Sequence, residues 1–225
     1  MGTLYIIATP LGNLKDITFR AIEALKEVDL VACEDTRQTV KLLNHYQIAK
    51  PLVSYFQHSK LSKIEYLAEQ LAQGKNLALV TDAGTPGISD PGNKLIEELT
   101  RLTSGQIKIV PLPGPCAAIA ALSVSGFPTD KFVFMGFPPH KKGRNKYFEE
   151  IAQAQHSVVF YESTHRILKA LEQLKELLPE RQIMVARELT KMFETIYRGS
   201  AEEILGILNS DKNNLKGEFV VVVKK

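Results

Sequence analysis

The sequence predicts an α/β fold with two domains, the first built on a parallel sheet and the second of mixed α+β type. Three observations support this prediction. Short apolar runs alternate with helical periodicity through the first half of the chain, which is typical of strand–helix units in a parallel sheet. Residues 126–130 interrupt that alternation. Beyond them, strand-like runs follow one another with fewer helices between them, which favours a mixed α+β second half.

Five strand–helix units account for the first half. Each apolar run is too short for a helix and too apolar for an exposed strand. We predict strands at residues 4–8, 30–32, 51–55, 77–80 and 107–112, followed in turn by helices at 17–26, 36–45, 61–72, 93–102 and 116–125. Together these units predict a parallel sheet covered on both faces.

The second half has its own order of elements. We predict strands at residues 132–135, 157–161, 182–186, 195–198 and 219–223, and helices at 144–154, 166–178 and 201–209. The change of rhythm places the domain boundary between residues 115 and 130, and we assign the N-terminal domain to 1–116 and the C-terminal domain to 117–225. Because ligand sites favour domain interfaces, we expect the active cleft between the two.

Composition is that of a globular protein, with 44% hydrophobic and 24% charged residues among 225. The net charge of +3 permits a nucleic-acid partner without requiring one. The two cysteines, Cys33 and Cys116, have neither disulfide nor metal-ligand spacing, which indicates a reducing, cytoplasmic compartment. The N-terminal apolar run is only strand-length and has no basic leader, so we expect neither a signal peptide nor a membrane helix.

The most informative motif is the glycine- and proline-rich loop at residues 81–92, which follows a predicted strand. Open parallel sheets bind ligands at such strand ends. We expect Asp90 to cap the next helix, with Pro91 as its first residue. Residues 82–86 have no such structural role and are the better candidates for ligand contact.

Polar residues follow the neighbouring strands as well. After the second strand, Asp35 or Thr36 is expected to cap a helix, which leaves Glu34 and Arg37 without a structural role. After the first strand, Gly12 allows a ligand to approach closely, or simply forms an ordinary turn. The turn at 111–118 is stiff and opens a helix of small residues, so a flat ligand or a backbone can lie close to it.

Charged residues also follow strands in the second half. Arg166, Arg187 and Lys191 are candidates for phosphate binding, whereas Glu162 and Glu188 either neutralise these cations or act as bases. Internal ion pairs are the alternative interpretation for each of them.

A basic segment lies at residues 131–148, with five Lys or Arg, no carboxylate and three nearby aromatic residues that include Phe137. Cations that hold phosphates beside rings that stack on bases suit single-stranded RNA. A solvated basic loop is the alternative interpretation. The sequence lacks the motifs of common dinucleotide, nucleotide, hydrolase and zinc sites. The residues by themselves therefore predict a two-domain α/β enzyme with a cleft and no more.

The strand-end motifs taken together resemble those of the ribosomal RNA small subunit methyltransferase I family, the cytidine 2'-O-ribose methyltransferases within the tetrapyrrole (class III) methylases. The combination is specific, although no single motif is. The matching segments occur in family order at residues 4–18, 34–37, 82–92, 111–115, 136–138, 161–162, 165–166, 187–191 and 216–218.

The resemblance implies a tetrapyrrole-methylase-like fold, a homodimer and S-adenosylmethionine bound between the domains. It implies methylation of a ribose 2'-oxygen in 16S ribosomal RNA, either free or in the assembled small subunit. The implied cofactor contacts are Pro10, Leu11, Gly12, Asp82, Ala83, Gly84, Thr85, Pro86, Gly114, Pro115, Ala117, Tyr161, Ala186 and Gly217. The candidate catalytic residues are Glu34, Glu188 and Lys191. The candidate RNA contacts are Arg37, Lys141, Lys142, Arg144, Glu162, Arg166 and Arg187, and no metal is expected.

Some features depart from the family pattern. Residues 56–59 lack the acidic residue and the asparagine expected beside the histidine, and Ser163-Thr164 stand where a proline usually precedes His165. Family members usually continue into a small helical region after the last strand; we expect that region to be absent here, which bears on activity towards the ribosome and not on cofactor binding.

Three other functions stay open. A small-molecule methylase of the tetrapyrrole type shares the expected fold and cofactor. A metal-dependent phosphoryl-transfer enzyme is suggested by Glu34, Asp35, Asp82 and Asp90 and needs these carboxylates to cluster. A non-catalytic RNA-binding module needs only the basic segment.

Overall fold

The computed structural model describes residues 1–55 and 61–225. The prediction about residues 56–59 lies outside the described residues. The chain divides into two compact units, Met1–Cys116 and Ala117–Lys225, which we call unit 1 and unit 2. Within the described ranges, no helix is long and apolar enough to cross a membrane.

Unit 1 alternates strands and helices along the chain. Its elements are β1 (Thr3–Ile7), a 3-10 helix (Leu14–Asp16), α1 (Phe19–Glu27), β2 (Leu30–Cys33), α2 (Thr36–His45), β3 (Leu52–Ser54), α3 (Leu61–Ala72), β4 (Leu77–Leu79), α4 (Gly92–Leu102) and β5 (Lys108–Leu112). In the described part of the chain, its five strands form one sheet in the order β3-β2-β4-β1-β5. Every strand pair in it is parallel. The predicted parallel sheet is therefore confirmed.

Helices cover the unit 1 sheet on both faces. Leu4 and Leu30 point to one face, where they pack with side chains of α3 and α4 such as Leu67 and Leu99. The next residues along the strands point to the other face and pack with α1 and α2. Strands β2 and β4 are buried along their whole length, as expected of central parallel strands.

The starts of the helices follow capping rules, with one departure. Asp35 caps α2, since its carboxylate accepts a hydrogen bond from the Arg37 N–H at 2.8 Å, so this prediction is confirmed. At α4 the prediction was wrong in detail, because the helix begins at Gly92 and Pro91 precedes it. The Asp90 carboxylate still accepts a hydrogen bond from Gly92 N, two residues ahead of it, at 2.6 Å, which forms an Asx turn.

Unit 2 has a mixed sheet. Its elements are α5 (Ala117–Ser125), β6 (Phe132–Phe134), α6 (Arg144–Gln153), β7 (Ser157–Ser163), α7 (Ile167–Leu177), β8 (Ile183–Arg187), β9 (Thr195–Gly199), α8 (Ala201–Ser210), a 3-10 helix (Lys212–Leu215) and β10 (Glu218–Val223). The strand order among the described residues is β6-β7-β10-β8-β9. Only β6 and β7 pair in parallel there, and the other pairs are antiparallel. The mixed α+β arrangement predicted for the second half is confirmed.

The core of unit 2 lies on one face of this sheet. Helices α6, α7 and α8 pack there, with Phe148, Leu171 and Leu208 against Phe160 and Phe219. Helix α5 contacts β7 and β10 instead. Strand β10 occupies the centre of the sheet, between β7 and β8, although it follows both of them along the chain.

Candidate active site

The loop after β4 is tied to the turn after β1 at the carboxyl edge of the unit 1 sheet. Thr9 and Gly84 exchange two backbone hydrogen bonds, of 2.9 and 3.0 Å. The buried Thr9 hydroxyl also donates to the Thr81 carbonyl at 3.0 Å. These contacts fix the first half of the loop, the part that the sequence offers as ligand-binding.

A third segment joins the same place. Gly84 adopts φ +85°, and a Cβ there would lie 3.3 Å from Leu11 Cδ2. The Thr85 hydroxyl donates to the Pro115 carbonyl at 2.9 Å. A Cβ at Gly114 would lie 2.8 Å from the Ala8 Cβ, so only glycine lets this turn approach β1 so closely. The unit 1 residues predicted to bind the cofactor, in segments 10–12, 82–86 and 114–115, are thus brought together.

Glu34 follows β2 at the same edge. The Thr81 hydroxyl donates to Glu34 Oε2 at 3.1 Å. Burial raises the pKa of the Glu34 carboxyl above its usual range, against the opposing effect of the Thr81 hydrogen bond. The negative charges of Asp82 and Asp90 act in the same direction as burial. Glu34 is therefore a carboxylate that accepts a proton more readily than a solvated glutamate does.

Asp35 connects the start of α2 to the loop after β4. Its N–H donates to Asp82 Oδ1 at 3.1 Å. Its carboxylate pairs with Arg37 at 2.7 Å, and this hydrogen-bonded pairing lowers the pKa of Asp35 to about 2. The Arg37 side chain remains 86% exposed, so it is accessible to a phosphate despite the pairing.

In unit 2, the residues predicted to bind the cofactor lie on the sheet face that α5 contacts. Val220 is the register partner of both Tyr161 and Ala186, which places these two residues on either side of it in one row. The Tyr161 hydroxyl accepts a hydrogen bond from the Ala118 N–H at 3.2 Å. Ala117 is therefore adjacent to this row.

Glu188 and Lys191 form a cluster with Glu218. Lys191 Nζ lies 2.8 Å from both Glu188 Oε1 and Glu218 Oε2. Glu188 Oε1 also accepts from the Glu218 N–H at 2.9 Å. Gly217 lies against this cluster, because a Cβ there would be 2.4 Å from the Glu188 Cδ. The four residues form one compact unit beside the start of β10.

This cluster sets the protonation of its members. Burial opposes ionisation of Glu188, but the Lys191 ammonium and the Glu218 N–H outweigh it and lower the pKa of the Glu188 carboxyl. Burial likewise opposes the charge on Lys191, but the two carboxylates outweigh it and raise the pKa of the Lys191 ammonium. A carboxylate with a lowered pKa and a protonated amine are both poor proton acceptors.

The residues predicted to contact RNA separate into exposed and buried sets. Lys141 and Lys142 are exposed in the segment between β6 and α6. By contrast, the side chains of Arg144 and Glu162 are 4% and 0% exposed. The guanidinium of the buried Arg187 donates to three backbone carbonyls, those of Phe193, Asn213 and Lys216. The prediction of RNA contact is therefore corrected for Arg144, Glu162 and Arg187, because burial commits their charged groups to partners within the protein.

Some site residues were missed by the sequence reasoning. Thr81 holds Glu34, and Thr9 holds the loop after β4. A threonine two residues after the end of a strand is the only signal for either. Glu218 belongs to a matching motif but had no assigned role. The described residues contain no group of three or more His, Cys, Asp or Glu placed to hold a metal ion.

Comparison with known proteins identifies the protein family. Residues 3–205 match the family model described as Tetrapyrrole (Corrin/Porphyrin) Methylases, and the chain belongs to this family. It is therefore an enzyme of the methyltransferase class, and S-adenosylmethionine is the methyl donor of the family. The fold agrees: the solved structure described as the methyltransferase CobJ aligns with a TM-score of 0.72 at 21% identity, covering 100% of this chain and 95% of that one.

Closer relatives carry a more specific name. The protein named Ribosomal RNA small subunit methyltransferase I from Haemophilus influenzae is 48% identical over 225 residues, which cover 99% of this chain and 78% of the relative. The protein of the same name from Bacillus subtilis is 46% identical, over 100% of this chain and 75% of the relative. The resemblance inferred from the strand-end motifs is thus confirmed.

Proposed function

We propose that this chain transfers a methyl group from S-adenosylmethionine to the ribose 2'-oxygen of a cytidine in 16S ribosomal RNA, free or within the assembled small subunit. The observation that carries the proposal is the 46–48% identity, over nearly the whole chain, to proteins named Ribosomal RNA small subunit methyltransferase I. We place the enzyme in the cytoplasm, where its two free cysteines suit a reducing compartment.

The residues at the carboxyl edge of unit 1 fit this cofactor. Asp82 is exposed on the loop that Gly84 and Thr85 fix against neighbouring turns, and a carboxylate there suits a cationic amino group or ribose hydroxyls. When bound, S-adenosylmethionine supplies a methyl group activated for in-line displacement. In unit 2, Ala117, Tyr161, Ala186 and Gly217 are the proposed cofactor residues.

The chain contributes positioning and a proton acceptor. Holding the ribose hydroxyl in line with the transferred group supplies much of the rate of such a displacement. Glu34 is the proposed general base, because its surroundings raise its affinity for a proton whereas those of Glu188 and Lys191 favour their charged forms. A base of this kind contributes roughly 10²–10⁴-fold to the rate.

Exposed cations would hold the RNA backbone. Lys141, Lys142 and Arg37 are accessible, and Arg166 keeps 18% of its side-chain surface exposed. Phe137 is 51% exposed beside the same basic segment and offers a ring on which a base can stack.

A homodimer is the proposed assembly. Strand β6 lies at an edge of the unit 2 sheet and exposes Phe132 and Val133 to 38% each. An edge strand with exposed apolar side chains is a ready pairing surface for another chain. Sedimentation of the wild type and of Val133→Lys tests this assembly: we expect a dimer that the lysine weakens, and a monomeric wild type contradicts it.

The experiment that tests the activity has two parts. Calorimetric titration with S-adenosylmethionine and its demethylated product measures cofactor binding. Tritiated methyl transfer to unmethylated small subunits and to free 16S RNA, followed by nucleoside analysis, locates the product. We expect saturable binding and label in 2'-O-methylcytidine. Cofactor binding with no label on either RNA substrate contradicts the proposed substrate, and failure to bind the cofactor contradicts the whole proposal.

A further inference from the structure

A fully buried carboxylate in unit 2 lies between two arginines. Glu162, near the end of β7, has a side chain with 0% exposure. Its Oε2 is 3.3 Å from Arg144 Nη1, and its Oε1 is 3.0 Å from Arg166 Nε. The Ser163 N–H also donates to Oε1 at 2.7 Å. Each carboxylate oxygen therefore has a charged partner, as a buried charge requires.

The two arginines also hold one surface loop. Arg166 Nη1 donates to the Pro138 carbonyl at 3.0 Å. Arg144 Nη1 donates to the Pro139 carbonyl at 3.4 Å. The loop at residues 138–143 begins at these carbonyls and ends at α6, whose first residue is Arg144 itself. Both ends of the loop are thus fixed to the same buried carboxylate.

The loop carries exposed positive charge. His140, Lys141 and Lys142 are exposed at its tip, and Gly143 closes it with φ +87°. Two lysines on a free loop would each lose side-chain and backbone entropy when they bind phosphates. A loop that is already fixed at both ends avoids the backbone part of that cost. The cluster of one carboxylate and two guanidiniums also keeps a net charge of +1 beneath the loop.

We propose that Glu162 is a positioning residue for RNA binding: acting through Arg144 and Arg166, it holds the loop at 138–143 so that Lys141 and Lys142 meet successive phosphates of single-stranded RNA. This inference rests on the proposed function and deepens it by giving the buried Glu162 a role in holding the RNA-binding loop. Glu162 itself does not touch the RNA, because its carboxylate is enclosed by protein. Arg144 shares the positioning role, because it bonds both Glu162 and the Pro139 carbonyl of the loop. Its Nε also donates to Gln173 Oε1 at 2.8 Å, which orients the guanidinium.

A double-mutant cycle on the full chain tests the inference. The variants are Glu162→Gln, Lys141→Ala/Lys142→Ala and their combination, and the control is Lys26→Ala/Lys108→Ala, which removes two exposed lysines of unit 1. The readouts are the KM and kcat for unmethylated 16S RNA, the Kd for S-adenosylmethionine, and the dependence of RNA affinity on salt.

The expected pattern is specific. Each loop or Glu162 variant raises the KM for RNA, leaves kcat at saturating RNA and the cofactor Kd within about twofold, and lowers the salt slope by about 1 per lost phosphate contact. The combined variant is no worse than the lysine pair alone, because Glu162 acts through those lysines. The control keeps the wild-type KM.

Two outcomes overturn the inference: effects that multiply in the combined variant, or a Glu162→Gln loss that appears equally in the cofactor Kd. If Glu162→Gln does not fold, Gln173→Leu takes its place in the cycle, because it removes the amide that orients Arg144 and otherwise bonds the exposed Asn145 side chain. A wild type that neither binds nor methylates the RNA refutes the proposed function instead, so the two failures are distinguishable.

Discussion

Glu34, Glu188 and Lys191 show how surroundings separate side chains that the sequence offers as equals. Glu34 accepts hydrogen bonds from two neutral donors, the Thr81 hydroxyl and the Asp82 N–H, and has two carboxylates nearby. Glu188 has an ammonium at 2.8 Å. The first environment favours the protonated acid, whereas the second favours the ions. The choice of catalytic base therefore depends on tertiary contacts.

Replacing Glu34 with Gln removes the proton acceptor and keeps the shape of the side chain. We expect kcat to fall by about 10²–10⁴-fold, because a general base contributes that much, while the Kd for S-adenosylmethionine stays near that of the wild type. Single-turnover methyl transfer and calorimetry measure the two quantities. Glu23→Gln, on the exposed surface of α1, is the control, and a kcat within a few-fold of the wild type would assign the base elsewhere.

The pH dependence of kcat follows from the same carboxyl. Burial raises the pKa of Glu34, and only its deprotonated form accepts a proton. Activity should therefore rise with pH through a midpoint above the ordinary glutamate range and be lost as the pH falls through it. A pH profile of single-turnover rates measures the midpoint. In Glu34→Gln this acid limb should vanish, and its persistence would show that another group titrates.

At the scale of elements, the loop before α4 depends on Asp90. Its carboxylate accepts from Gly87 N at 2.9 Å and from Gly92 N at 2.6 Å, which closes the loop and satisfies the first N–H of the helix. We expect Asp90→Ala to lower the free energy of unfolding by about 1 kcal/mol and to weaken cofactor binding.

Chemical denaturation and calorimetry check both effects of this change. Asn93→Ala is the matched control, since Asn93 is exposed and, in the described ranges, its side chain bonds only the adjacent Lys94 N–H. Equal losses in the two variants would show that Asp90 has no special role in the loop.

The Glu188 cluster depends on the absence of a side chain at Gly217. A Cβ there would lie 2.4 Å from the Glu188 Cδ, and the residue has φ +104°. We expect Gly217→Ala to destabilise the protein by about 1–3 kcal/mol from backbone strain alone and to add the cost of displacing Glu188. Gly126→Ala, at φ +72° with nothing within 4 Å, isolates the strain. If the two variants unfold at the same denaturant concentration, the collision with Glu188 is relieved at no cost.

The elements were predictable from the sequence because their periodicity reflects which faces are buried. Helices α2 and α3 have the predicted bounds, and the strands of the unit 1 sheet are parallel as predicted. The buried charges were not predictable in the same way. Arg187 and Glu162 lie at strand ends, as do several exposed candidates. A sequence shows that a residue is charged, but it does not show whether neighbouring groups bury that charge and bind it.

At the scale of the whole molecule, the proposed cofactor residues belong to both units, so ligand protection should appear in both. We expect S-adenosylmethionine at about 100 times its Kd to add about 2.7 kcal/mol to the free energy of unfolding. Hydrogen exchange by mass spectrometry should then show slower exchange at residues 82–86 and at 217–218. Adenosine is the control ligand, and protection confined to unit 1 would restrict the site to that unit.

The central position of β10 also has a consequence for synthesis. Strands β7 and β8 both pair with Glu218–Val223, so neither has its full set of hydrogen bonds until those residues have left the ribosomal exit tunnel. The sheet of unit 1, by contrast, draws all its described strands from the first 112 residues. In a nascent chain, the strands of the unit 1 sheet can therefore all pair before the unit 2 sheet has its central strand.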